Sequence, residues 1–144
     1  MGLFDFFKKR PAPPKPQEQY VDPILGALAW SEDDEAWAGE RDGLKFFIAY
    51  GGQATPENEL LQYARDVLTN PSAFQDTVER AKPDAMAKHP KLADEIAGLS
   101  VEAIHFYEFK NTRRILADLA GGQGDRSWRI EFRERDCDGI GFDT

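Results

Sequence analysis

The chain has 144 residues, 26 acidic against 18 basic, for a formal charge of −8, and 41% of its residues are hydrophobic. That length suits one ordinary domain, and ten Phe, three Trp and four Tyr supply enough large side chains to exclude a wholly disordered chain. A single Cys excludes a disulfide framework or a Cys-based zinc site, and no apolar run nears the ~20 residues that span a bilayer.

Residues 1–19 stand apart. Met1 to Phe7 reads M-G-L-F-D-F-F, Lys8, Lys9 and Arg10 follow, and Pro11, Pro13, Pro14 and Pro16 then favour an extended linker. This tail carries four basic and two acidic residues, net +2, which leaves residues 20–144 at −10. The apolar stretch precedes the basic one and is short, unlike a signal peptide, and Phe6 stands where a myristoylation signal wants Ser or Thr. Leu3, Phe4, Phe6 and Phe7, with Lys8, Lys9 and Arg10 behind them, read as an amphipathic foot for a lipid surface or a partner groove. On its proline tether the foot could equally fold back on its own domain.

The body, 20–144, reads as a single α+β domain. Ile24 to Trp30, Glu35 to Arg41 and Leu44 to Tyr50 carry strand patterning, with a polar turn at Ser31–Asp34 and a hairpin signal at Asp42-Gly43. Thr55-Pro56 and Asn70-Pro71 each pair a cap with a first-turn proline, and apolar stripes follow both; Pro83 is expected to kink or restart the second helix. Gly98 is expected to end the helical region. Period two returns in 101–109, 113–120 and 127–133, with a tight turn at Asp136–Asp138 and a short last strand through Gly139–Phe142. The expected layout is an antiparallel sheet of five to seven strands, βββ–αα(α)–βββ, with helices on one face. Its expected core is Leu28, Trp37, Phe46, Ile48, Leu61, Val67, Phe74, Ile104, Ile115, Trp128, Ile130 and Phe132.

The opening Asp22-Pro23-Ile24-Leu25-Gly26-Ala27-Leu28, with Trp37 in a following strand, resembles small bacterial domains classed only as domains of unknown function. The resemblance covers roughly 20–144 and implies the same sheet–helices–sheet layout and a bacterial source. It implies no active site.

Few residues offer chemistry. Cys137 lies between Asp136 and Asp138, which raise rather than lower a thiol's pKa, and reads as an ordinary thiol. Asp136-Cys137-Asp138-Gly139 resembles the start of a calcium loop without the Glu required at its twelfth position. Gly121-Gly122-Gln123-Gly124 sits between two strands and reads as a hairpin loop, not a phosphate cradle. His105 could do acid–base work with Glu102, Glu108 or Asp118, although a His on a mostly apolar strand face is more often a core residue.

The expected function is therefore a non-enzymatic, cytoplasmic binding module without metal or cofactor. Its acidity opposes nucleic acid, whose affinity rests on Lys and Arg contacts to phosphate, and favours a basic protein partner, as for an immunity-type protein on a basic nuclease. The expected contact residues are Trp30, Glu32, Asp33, Asp34 and Trp37 around one turn, and Asp136, Asp138 and Phe142 around another. One alternative is a peripheral membrane adaptor, weakly held at the inner membrane face by residues 1–10, and a second is a small enzyme using His105 with a carboxylate.

Overall fold

A computed structural model describes residues 18–49, 54–121, 126–134 and 136–143. The foot of the tail, Leu3–Arg10, lies outside the described residues. The described residues form a mixed α and β structure built on one eight-stranded sheet in sequence order. Its strands are β1 (Gln19–Asp22), β2 (Gly26–Ser31), β3 (Ala36–Arg41), β4 (Leu44–Ala49), β5 (Ser100–Phe109), β6 (Thr112–Ala120), β7 (Ser127–Arg133) and β8 (Asp136–Asp143). Every neighbouring pair is antiparallel except β4 and β5, which run parallel at the centre. A parallel pair needs a crossover, and here it holds α1 (Asn58–Leu68), α2 (Pro71–Lys88), a 3₁₀ turn (Pro90–Leu92) and α3 (Ala93–Ala97).

Eight strands exceed the expected five to seven. The extra one, β1, is four residues long, too short to show a period. It is closed off by Asp22, whose carboxylate accepts from the amides of Ile24 and Leu25 at 2.9 and 2.8 Å, while Gly26 takes a φ of +83°. The D-P-x-L-G segment is thus a turn between two strands, and Leu25 and Leu28 drop from it into the core. At the other end of the chain, Asp136–Asp138 is not a turn. It opens an eight-residue edge strand, and the reversal falls at Glu134, at positive φ.

Helix α2 runs unbroken through Pro83, against expectation. The proline sits on the exposed side of the helix, and the turns around it are anchored by buried Val78, Lys82 and Ala85. An interior proline forfeits one hydrogen bond and crowds the carbonyl four residues back, and the buried contacts on the opposite side of the helix offset that cost. Lys82 is buried because its ammonium is fully engaged: Nζ donates to the carbonyls of Ala97 and Leu99 at 3.0 and 2.8 Å and pairs with Glu79 at 2.8 Å. Helix α1 starts two residues beyond the expected Thr55-Pro56, with Glu57 as N-cap accepting from the Leu60 amide at 2.8 Å.

Alternation sends Leu28, Trp37, Phe46, Ile48, Ile104, Phe106, Ile115, Trp128, Ile130 and Phe132 to one sheet face, where they form a single core with Leu60, Leu61, Ala64, Val78 and Ile96 of the helices. Of the expected core, only Val67 and Phe74 are half-buried. They line the groove where α1 and α2 diverge, about 350 Å³, whose lining includes Ile115 and Phe132. No helix covers the opposite sheet face among the described residues. A bulge between Val101 and Ala103 shifts β5 by one position. It puts Val101 on the core side and His105 and Tyr107 on the open one.

The β5–β6 hairpin turns through Lys110 and Asn111, both at positive φ (52° and 61°). Two central residues with φ above zero define the primed turn for which Asn-Gly is the favoured pair. Replacing Lys110-Asn111 by Asn-Gly should therefore stabilise the fold by about 1 kcal/mol. The check is a rise in the urea midpoint at unchanged slope.

Candidate functional site

Strands β2, β4, β5 and β7 run toward one end of the sheet, and β1, β3, β6 and β8 run away from it. The β2–β3, β5–β6 and β7–β8 turns therefore share that end. They bring together Glu32, Asp33, Asp34 and Glu35 from the first, Glu108 beside the second, and Glu134, Asp136 and Asp138 from the third. The start of α1 adds Glu57 and Glu59, whose carboxylates lie within 4.8 Å of that of Glu108. Against these ten acids stand Lys110, Arg113, Arg114 and Arg133 among the described residues. Arg113 pairs with Glu134 at 3.1 Å and Arg133 with Asp138 at 2.8 Å. Glu32, Asp33, Glu35, Glu59 and Asp136 form no ion pair among the described residues.

Physical reasons hold this end in place. The Ser31 hydroxyl donates to Asp34 at 2.8 Å across the first turn. Acids at the start of α1 suit the positive end of a helix. Glu134 is fixed from three directions: the Tyr63 hydroxyl donates to its carbonyl at 2.5 Å, its amide donates to the Arg113 carbonyl at 2.9 Å, and its carboxylate accepts from the Arg113 amide at 3.1 Å. Burial, seconded by the Glu134 charge, pushes the Tyr63 phenol up to about 12, so it remains a donor across the physiological range. The Arg113 side-chain hydrogen bond holds the Glu134 carboxyl below its ordinary value.

The expected acids and the expected aromatic anchors part company here. Both acidic segments reach the same end of the sheet, but Trp37 is fully enclosed (0% exposed) and offers no surface. Trp30 is half-buried, edge-on to Trp37 at 5.6 Å, and Phe142 is half-buried against Trp128 at 4.9 Å. The exposed aromatic at the acidic end is instead Phe109, 51% exposed at the tip of β5, with the Arg114 guanidinium 5.0 Å from its ring. Its place as the final residue of an alternating run marks it as a strand end in the sequence. Nothing there shows that this end gathers the acids.

His105 is not a core residue. It lies half-buried on the open sheet face, stacked on Phe47 with ring centroids 4.8 Å apart, and its Nε2 is 2.9 Å from the Asp118 carboxylate on β6. Of the three carboxylates considered for it, Asp118 is the partner. Glu102 sits at the bulge and Glu108 belongs to the acidic end. Neither His105 nor Asp118 lines the cavities beside Leu44, Phe132 or Ile140. Cys137 is exposed, its sulfur 3.4 Å from the Gly139 amide. Asp138 is engaged by Arg133, and the Gly122–Asp125 part of the glycine loop lies outside the described residues.

No family model matches the chain, and no curated protein or solved structure is significantly similar to it. No helix of the described residues is long and apolar enough to cross a membrane.

Proposed function

We propose that the chain is a non-catalytic binding module that receives a basic protein on the acidic end of its sheet. The observation that supports this reading is the convergence of acidic segments a hundred residues apart, Glu32–Glu35 and Glu134–Asp138, around an exposed phenylalanine. From the β2–β3 turn to the β7–β8 turn is five strand spacings, about 24 Å. That matches the breadth of a standard protein interface of ~800 Å² per partner. Aromatic anchors carry interface energy, while surface charge sets encounter rate and register. Phe109 and the acids around it divide those roles. A small acidic protein that neutralises a basic nuclease fits this surface.

The test uses the partner recovered from the native host and measures association with the full chain. The wild-type rate should fall several-fold between low and physiological salt, since screening shortens the field to ~8 Å. A Glu32→Ala/Asp33→Ala/Asp34→Ala variant should start slower and show a flatter salt dependence. Phe109→Ala should instead speed dissociation, with a loss of roughly 2 kcal/mol in affinity. Unchanged rates in both variants would remove this end of the sheet from consideration.

A further inference from the structure

We propose that the tail docks on its own domain: Leu3, Phe4, Phe6 and Phe7 lie on the β1–β4 half of the open sheet face, and Lys8, Lys9 and Arg10 meet the Glu32–Glu35 turn.

The entry point of the chain supports this. Gln19 pairs with Ala29, and the Glu18 carbonyl accepts from the Trp30 amide at 3.0 Å, so the chain joins the sheet at its acidic end, beside the β2–β3 turn. The face next to that entry is largely apolar, with Gln19 at its rim and the Glu40–Lys45 pair at its far side. Val21 is 73% exposed, Ala27 and Ala29 are exposed, and Ala38 and Phe47 are half-buried. Among the described residues no helix covers it. Alanine is short enough for a phenyl ring to lie close over the sheet.

Reach is sufficient. Pro11 to Gln17 spans about 22 Å at the polyproline rise, and β1 to β4 is three strand spacings, about 14 Å. Chain order also fits: the cations sit nearer the entry point than the apolar foot, so they meet the acids while the foot extends onto the face. Charge fits as well. Lys8–Arg10 is the one run of three consecutive cations in the sequence, and Glu32–Glu35 the one run of four acids. A short tether holds the foot at roughly millimolar effective concentration, so even a millimolar contact is half-occupied.

The experiment uses the full chain with Cys137→Ser and a nitroxide on Gly2→Cys, and reads the backbone amides by NMR. Docking is expected to broaden Val21, Ala27, Ala29 and Ala38, and charge reversal at Lys8, Lys9 and Arg10 to Glu should restore them. Broadening of no sheet amide would overturn the docking, as would broadening only of isotope-labelled chains by separate spin-labelled ones. Flotation on phosphatidylglycerol vesicles, with no sheet amide broadened in their absence, would assign the foot to membranes instead.

Discussion

Phe46→Ala is expected to destabilise the fold by about 3–5 kcal/mol, as large-to-small changes at fully buried aromatic sites do. Phe46 is completely enclosed at the centre of the sheet. On one side it stands opposite Ile104 across the parallel β4–β5 pair, and on the other it is opposite Gly39. Its ring occupies the room that a side chain at Gly39 would need: a Cβ built there falls 2.4 Å from the Phe46 Cζ and 2.8 Å from Leu28 Cδ2. Removing the ring thus empties a space that nothing adjacent can fill. The converse change, Gly39→Ala, overpacks the same space and should cost about 1–3 kcal/mol. Because the two sites share one volume, the Gly39→Ala/Phe46→Ala double variant should cost less than the sum of the single changes. Urea unfolding measures all three, and a Phe46→Ala cost under about half a kcal/mol would show that this face is not the core.

Acid should destabilise the fold through Asp22, and Asp22→Asn should remove that part of the pH dependence. The Asp22 side chain is fully buried and chelated by Arg65, whose Nε lies 3.1 and 3.2 Å from its two oxygens. The Arg65 hydrogen bonds, with help from the Leu25 and Ile24 amides, outweigh burial and lower its pKa from 3.8 to about 2. A carboxyl whose folded-state pKa is depressed stabilises the fold above its unfolded value and loses that stabilisation as pH falls through the folded one. The contribution is therefore whole above pH ~5 and fades between pH ~4 and 2. It amounts to about 2 kcal/mol. At neutral pH, Asp22→Asn should cost about 2–3 kcal/mol by leaving the Arg65 guanidinium without its counter-charge. Stability measured from pH 5 to 2 should fall more steeply for the wild type than for the variant. Parallel curves would show that the Asp22–Arg65 pair is too weak to matter.

Much of the core could be read from alternation, because Phe46, Ile48, Ile104, Ile115, Trp128, Ile130 and Phe132 obey a two-residue period that only a half-buried strand satisfies. What escaped was non-local. The Asp22–Arg65 and Lys82–Leu99 contacts join positions 43 and 17 apart, and no local pattern marks them. The bulge that turns His105 away from the core depends on pairing with β6. Trp37 looked equally suited to core and surface, because its neighbours on β3, Ala36 and Ala38, are small and the rings packed against it, Trp30 on β2 and Tyr20 on β1, come from other strands. The acidic segments were visible individually. That they meet follows from strand direction, and the crossover between β4 and β5 sets that direction.

That crossover also has a kinetic consequence. β1 to β4 and β5 to β8 are two meanders of neighbouring hairpins, whose contacts close over short loops. The seam between them pairs Lys45 with Ala103, fifty-eight positions apart. Loop closure at that separation is the costliest ordering event in the sheet. The halves should therefore zip early, and the seam should close late, once α1 and α2 have formed a lid over Phe46 and Ile104. Until then β4 and β5 each present a bare hydrogen-bonding edge, rich in aromatic and branched side chains, of the kind that pairs with whatever strand arrives first. A second copy's β5 offers β4 the same partner as its own, so a crowded refolding chain is poised to exchange halves and become a domain-swapped dimer.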